Sequence, residues 1–142
     1  MRKVVVTGIG AVTPVGNDIK TFWDSLTAGK SGIDFITKFD TADSKVKIAA
    51  EVKNFDPALY IEKPLMRKTD LYAQYALAAA AQAMDDSKIA GTVEPDRLGV
   101  YIGSGIGGMK TFMEECDRIR KSGPKRVSPY FIPKLIANIA AG

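Results

Sequence analysis

The 142 residues contain no histidine, one cysteine and one tryptophan. Without histidine, the commonest general base near neutral pH and a common metal ligand are both missing. A single cysteine excludes an intrachain disulfide and fits a reduced, cytoplasmic setting. Long apolar runs are absent too. No stretch approaches the ~20 residues that a membrane helix needs. The run Val4-Val5-Val6 after the charged Met1-Arg2-Lys3 is too short for the apolar region of an export signal. Neither charge sign dominates: 20 Lys and Arg against 16 Asp and Glu leave a net +4. That bias admits an acidic partner without requiring nucleic acid.

What is present is a globular composition, with 46% hydrophobic and 25% charged residues. Such a chain can build one domain with a core, and a folded rather than globally disordered state is expected. Three β-branched residues, Val4 to Val6, predict a buried strand. Asn17 is a candidate N-cap for a helix over 18–28, with Ile19, Phe22, Trp23 and Leu26 at helical spacing and Gly29 as its C-terminal glycine. An irregular loop is expected from Ser31 to Ser44, then a strand over 45–52. Alanines at 73, 76, 78–81 and 83 predict a buried helix over 66–87, because alanine has the best helix propensity and permits close packing. Leu98 to Ile102 reads as a second buried strand. A helix with Phe112, Met113, Cys116 and Ile119 on one face follows and stops at Gly123-Pro124. Ser128 to Pro133 is expected to be extended, with a last helix from about Pro133 carrying Ile136, Ile139, Ala140 and Ala141 like a core helix cut short. Strands alternating with helices place the chain in the α/β class.

Two glycine motifs invite nucleotide readings. Gly8-Ile9-Gly10 has Thr13 where a dinucleotide fingerprint needs a third glycine or alanine, and its helix starts late. Gly103 to Thr111 nearly spells a phosphate loop. Met109 separates Gly108 from Lys110, which swings the lysine by about 100° on a helix. The plain reading of both is a tight turn in which glycine lets backbone approach a neighbour closely. Cys116 falls mid-helix between Glu115 and Asp117 and reads as a small hydrophobe, not a nucleophile. Arg118, Arg120, Lys121, Lys125 and Arg126 lack the interleaved aromatics of a nucleic-acid site, so a solvated surface is expected. Lys63, Arg67 and Lys68 form a compact basic cluster ahead of the alanine-rich helix.

The run Val4 to Gly16, then Asn17 and a helix bearing Phe22-Trp23, resembles the start of the β-ketoacyl-acyl-carrier-protein synthases, and most of all their elongating type II branch. The resemblance covers all 142 residues, about the first third of such an enzyme. It implies an α/β, thiolase-like fold whose first half is incomplete, and a parent that is a cytoplasmic, homodimeric acyltransferase. In that family a cysteine takes the acyl group as a thioester. Malonyl-carrier loses carbon dioxide, and the carbanion attacks the thioester, aided by two histidines and by backbone amides at the oxyanion.

The family's nucleophile and histidines would lie beyond residue 142, so none of these residues is catalytic and the chain alone is expected to be inactive. Gly103 to Gly108 matches the family's segment beside the acyl pocket, with Ile106 at the pocket's neck. Phe131 matches a residue reaching across the dimer to the partner's pocket. Lys63, Arg67 and Lys68 match residues that meet the acyl-carrier protein, although Pro64 stands where relatives are often basic. No cofactor, metal, nucleic acid or membrane is implied. The rival readings are an initiating or polyketide-type synthase or chain-length factor, a non-catalytic carrier-protein interaction module, and a nucleotide-binding enzyme.

Overall fold

A computed structural model describes residues 3–142, and the charged start at Met1 and Arg2 lies outside them. The chain divides into two compact units: residues through Asp56 with Ala79–Lys88, and Pro57–Ala78 with Ile89–Gly142.

In the first unit the Gly8–Ala11 segment lies against the C-terminal half of a 17-residue helix, Leu71–Ser87, here α3. A Cβ at Gly8 would overlap the carbonyl oxygen of Ala83, and one at Gly10 the carbonyl oxygen of Ala79. Glycine on one side and alanine on the other therefore let backbone meet backbone. The contact is tied by polar side chains on the same helix. Ile9 N–H donates to Asp86 Oδ2 at 2.9 Å and Ala11 N–H to Gln82 Oε1 at 3.0 Å. Gln82 Nε2 donates to the carbonyl of Asn17 at 2.7 Å.

Helix α1, Ile19–Thr27, starts at Asp18 rather than Asn17. Asp18 accepts from Thr21 N–H at 2.8 Å and from the Thr21 hydroxyl at 2.7 Å, as an N-cap does. Asn17 is drawn away from capping because its amide donates to the Lys53 carbonyl at 2.8 Å. Gly29, with φ 66°, closes the helix as expected. Ser25 is its buried residue, whereas Trp23 and Leu26 are exposed.

The loop expected over 31–44 contains a strand, β1, Ile33–Phe35. It pairs antiparallel with β2, Ile48–Ala50, inside the 45–52 segment, with Ile33 opposite Ala50 and Phe35 opposite Ile48. The apolar-polar-apolar run Ile33-Asp34-Phe35 was the available signal. Lys53 Nζ bridges to Asp34 at 2.7 Å, and the Thr37 hydroxyl donates to Glu51 at 2.7 Å.

The Val4–Val6 run forms no strand and is exposed, at 96%, 73% and 82%. A strand exists only through its ladder, and among the described residues no segment pairs with this run. The same holds in the second unit for Leu98 to Ile102, where Tyr101 is fully exposed.

The second unit begins with a 3-10 turn, Pro57–Leu59, and helix α2, Lys63–Lys68. The helix expected over 66–87 is thus two helices. Thr69 is extended (φ −113°, ψ 150°) and breaks them, while its hydroxyl donates to the Leu65 carbonyl at 2.9 Å. Of the alanines expected to be buried on α3, Ala73 and Ala78 are, at 1% and 0%, whereas Ala80 and Ala81 are exposed, so the helix buries one face only. A 3-10 turn, Pro95–Arg97, precedes helix α4, Met109–Ser122, which ends at Gly123 with φ 80°. Another 3-10 turn, Pro124–Arg126, leads on. Ser128 to Pro133 is not extended throughout. Helix α5 occupies Phe131–Leu135, opened by Phe131 N–H donating to the Ser128 carbonyl, and a 3-10 turn over Ala137–Ala140 follows in place of a longer last helix.

On α4 the buried residues are Thr111 and Glu115. The expected apolar face is not the core: Phe112, Met113 and Ile119 are exposed and Cys116 is half-buried. The reason is what each face meets. Asp70 and Ser128 satisfy Thr111 and Glu115, whereas on the other face Phe112 finds a partner in Phe131.

Gly10→Ala is expected to destabilise the protein by about 1–3 kcal/mol through overpacking, read from urea unfolding. Asp18→Ala should cost about 1 kcal/mol at neutral pH through the lost cap. Hydrogen bonds from Thr21, backbone first, hold the Asp18 carboxyl below its ordinary 3.8. That stabilisation is present above the unfolded value and fades as pH falls through the lower folded one. The gap between wild type and Asp18→Ala should therefore narrow below about pH 4, as thermal melts across pH will measure.

Candidate functional site

The second unit carries the five residues expected to bind substrate or carrier, Lys63, Arg67, Lys68, Ile106 and Phe131. Helix α2 places Lys63 in its first turn and Arg67 and Lys68 in its last. All three side chains are exposed, and among the described residues none forms an ion pair. Cations at a helix C-terminus oppose the negative end of the helix dipole, which favours Arg67 and Lys68 where they stand. The Gln74 amide donates to the Met66 carbonyl at 3.1 Å and helps fix this end. Lys68 Nζ stands 6.0 Å from the ring centre of Tyr130. The basic helix and the segment leading into Phe131 are therefore neighbours.

The glycine loop is built in two halves. At Gly103 and Gly105 a Cβ would meet nothing nearby. Gly107 has φ 79°, a conformation that favours glycine. A Cβ on it would overlap the Leu135 carbonyl oxygen, and one on Gly108 the Lys134 carbonyl oxygen. Gly108 N–H donates to the Leu135 carbonyl at 3.0 Å, and Gly107 N–H to Ser104 Oγ at 3.0 Å. Ile106 sits beside this clamped pair and is 63% exposed. Phe131, half-buried, opens α5 and stacks on Phe112 with ring centres 6.3 Å apart and planes 25° from parallel. Ile106 and Phe131 are thus both attached to the α4–α5 pair. Lys110 pairs along its own helix with Glu114 at 3.8 Å, away from the turn that a phosphate would need it to face.

Sequence reasoning missed four residues that hold this region together. Asp70 Oδ2 accepts from Thr111 N–H at 3.3 Å and from the Thr111 hydroxyl. Hydrogen bonds to a charged group contribute about 1.5–3 kcal/mol. The Tyr72 hydroxyl donates to the Ile136 carbonyl. Desolvation, then the nearby Asp70 charge, raises the Tyr72 phenol above its ordinary 10.0, so the proton needed for donation is retained. Glu115, 4% exposed, accepts from Ser128 N–H at 2.9 Å and pairs with Arg118 at 3.0 Å. The signal was the polar pair Thr111 and Glu115, four residues apart on one helix face. Of the second basic run, Arg118 and Arg120 are engaged within α4, Arg120 with Asp117 at 3.4 Å. A cavity of about 440 Å³ lies in the first unit, between the Thr13–Asp18 turn and Lys53-Asn54, and none of the expected site residues lines it. Among the described residues no group of His, Cys, Asp and Glu could hold a metal ion, and no helix is long and apolar enough to cross a membrane.

The pattern of the family "Beta-ketoacyl synthase, N-terminal domain" matches residues 1–142. The chain belongs to the β-ketoacyl synthase family. Among curated relatives, it is 48% identical over 143 residues to 3-oxoacyl-[acyl-carrier-protein] synthase 2 of Coxiella burnetii (strain RSA 493 / Nine Mile phase I), covering 99% of this chain and 34% of that protein. It is 45% identical over 142 residues to the enzyme of the same name from Staphylococcus aureus (strain COL), with the same coverage. The chain therefore spans about a third of the length of the curated relatives it matches.

Solved β-ketoacyl synthase structures agree. That from Burkholderia phymatum STM815 superposes with a TM-score of 0.80 at 25% identity, over 99% of this chain and 35% of its own. A type II PKS ketosynthase, solved in complex with its acyl-carrier protein, gives 0.78 at 26%, over 97% of this chain and 36% of its own. The α/β, thiolase-like fold implied by the sequence is the one these structures share with the chain.

Glu115→Ala should cost about 1–3 kcal/mol, since it leaves the Ser128 N–H and Arg118 without their acceptor. Glu115→Gln keeps an acceptor and should lose clearly less, and urea unfolding of the two variants side by side will show the order.

Proposed function

We propose that these residues are the N-terminal part of an elongating 3-oxoacyl-[acyl-carrier-protein] synthase of fatty-acid synthesis. The observation that carries this reading is the 48% identity with the Coxiella burnetii synthase 2 along 99% of the chain. In the reaction an acyl group passes from its carrier to an enzyme thiolate. Malonyl-carrier then loses carbon dioxide, and its carbanion attacks the thioester carbonyl. The new carbon-carbon bond forms as the enzyme thiolate leaves. The 142 residues are assigned no catalysis of their own: they hold no histidine, and Cys116 is half-buried in the middle of α4. They lie ahead of the nucleophile region and supply walls and contacts. The exposed runs Val4 to Val6 and Leu98 to Tyr101 support this, being strand-forming sequence that pairs with no segment among the described residues.

Ile106 forms the neck of the acyl pocket in this reading. Phe131 is directed to a partner subunit's pocket, and the protein acts as a cytoplasmic homodimer. Lys63, Arg67 and Lys68 receive the acidic acyl-carrier protein. Their exposure and freedom from ion pairs support that role, and a related ketosynthase has been solved with its carrier. A polyketide-type synthase or chain-length factor is the second reading, favoured by structural neighbours such as the ishigamide ketosynthase/chain length factor at a TM-score of 0.78. Its 27% identity against 45–48% for the fatty-acid enzymes ranks it second.

In the full-length protein, acyl-carrier and malonyl-carrier together should yield 3-oxoacyl-carrier and carbon dioxide, and no product would overturn the assignment. Arg67→Glu with Lys68→Glu should raise KM for carrier-linked substrate by about tenfold at low salt, less at high salt, with kcat little changed. An unchanged KM at low salt would remove the carrier role of α2.

A further inference from the structure

We propose that Asp70 is a positioning residue for acyl-chain selection, because it caps α4 from outside and so fixes the turn that carries Ile106. The inference rests on the reading of Ile106 as the pocket neck and adds a residue to it.

Helix α4 begins after Gly108, which has no side chain to cap it. None could be placed there, since a Cβ would overlap the Lys134 carbonyl oxygen. The first-turn N–H groups of a helix need acceptors from elsewhere and favour a negative charge. Asp70 meets both needs. Its Oδ2 takes the N–H and the hydroxyl of Thr111, the third residue of α4 and the donor that an N-cap side chain ordinarily serves. The same oxygen stands 3.0 Å from where a Gly108 Cβ would be.

Asp70 is itself held, since its carbonyl accepts from Ala73 and Gln74 N–H at the start of α3, both at 3.1 Å. Thr111 is buried. Gly108 N–H is fixed on the Leu135 carbonyl. One carboxylate thus joins the start of α3, the first turn of α4 and the Gly107-Gly108 pair. Ile106 is one peptide bond from that pair, and its position is inherited from it. Removing the carboxylate frees the first turn of α4, and the freedom passes to the neck residue.

The test uses the full-length enzyme and compares kcat/KM for a long-chain and a short-chain acyl-carrier substrate. Asp70→Ala should change the long-to-short ratio by about three- to tenfold, with KM for malonyl-carrier unchanged. Asp70→Asn, which keeps an acceptor oxygen, should recover part of the ratio. In an Ile106→Ala background, Asp70→Ala should change it by less than about twofold, because the two residues act in series. Thr111→Val should repeat the shift and Thr111→Ser should not, a comparison that stands if Asp70→Ala does not fold. Equal loss on both substrates, or an undiminished shift in the Ile106→Ala background, would overturn the inference. If Ile106→Ala shifts the ratio while the Asp70 and Thr111 variants do not, the inference alone fails. If Ile106→Ala leaves the ratio unchanged, the pocket-neck reading fails with it.

Discussion

Close approach of main chain to main chain at glycine is the contact on which the remaining structure depends. In the first unit Gly8 and Gly10 lie on the carbonyls of Ala83 and Ala79, and in the second Gly107 and Gly108 lie on those of Leu135 and Lys134. Backbone brought this near to backbone has little room for water, so its polar groups must find partners within the protein. They do: Ile9 and Ala11 N–H reach Asp86 and Gln82, and Gly108 N–H reaches Leu135. The polar ties follow from the sterics. A larger residue at any of these glycines would lift the segments apart and strand the donors.

The second consequence is that, Ile61 apart, the buried positions are filled by small or polar residues. Ala73, Ala78, Thr111 and Glu115 are buried, while Trp23, Phe35 and Met113 are exposed. Order in the second unit therefore relies on directed hydrogen bonds, accepted by Asp70 and Glu115 and donated by Tyr72, as much as on apolar contact. Such bonds specify geometry sharply, because a displaced buried donor or acceptor loses its partner outright. The loop and helices that carry Ile106 and Phe131 are held by bonds of this kind.

Local signals in the sequence were legible where the cause was local. Gly29 and Gly123 end their helices because each adopts a positive φ, and the alanine run is a helix because alanine favours one. The family likeness was legible in the spacing of Gly8, Gly10, Thr13-Pro14 and Gly16. Signals that depend on a distant partner were not. Asn17 and Asp18 are equally good caps by type, and only the Lys53 carbonyl decides between them. The apolar spacing of Phe112, Met113 and Ile119 pointed to a buried face, yet Asp70 and Ser128 bury the opposite one. Val4 to Val6 has strand propensity, but propensity supplies no ladder. In the candidate site the basic cluster and the glycine loop could be read directly. The carboxylate that caps α4 could not, since it is 41 residues away from Thr111.

The uncovered Val4-Val5-Val6 run has a cost beyond the folded state. Three β-branched residues whose amide and carbonyl groups pair with none of the described residues are a template onto which another extended chain can add. While such a run stays uncovered, self-association competes with folding, and the competition worsens as concentration rises. Lys3, also exposed, stands next to it and acts as a gatekeeper, its charge discouraging the stacking of identical segments.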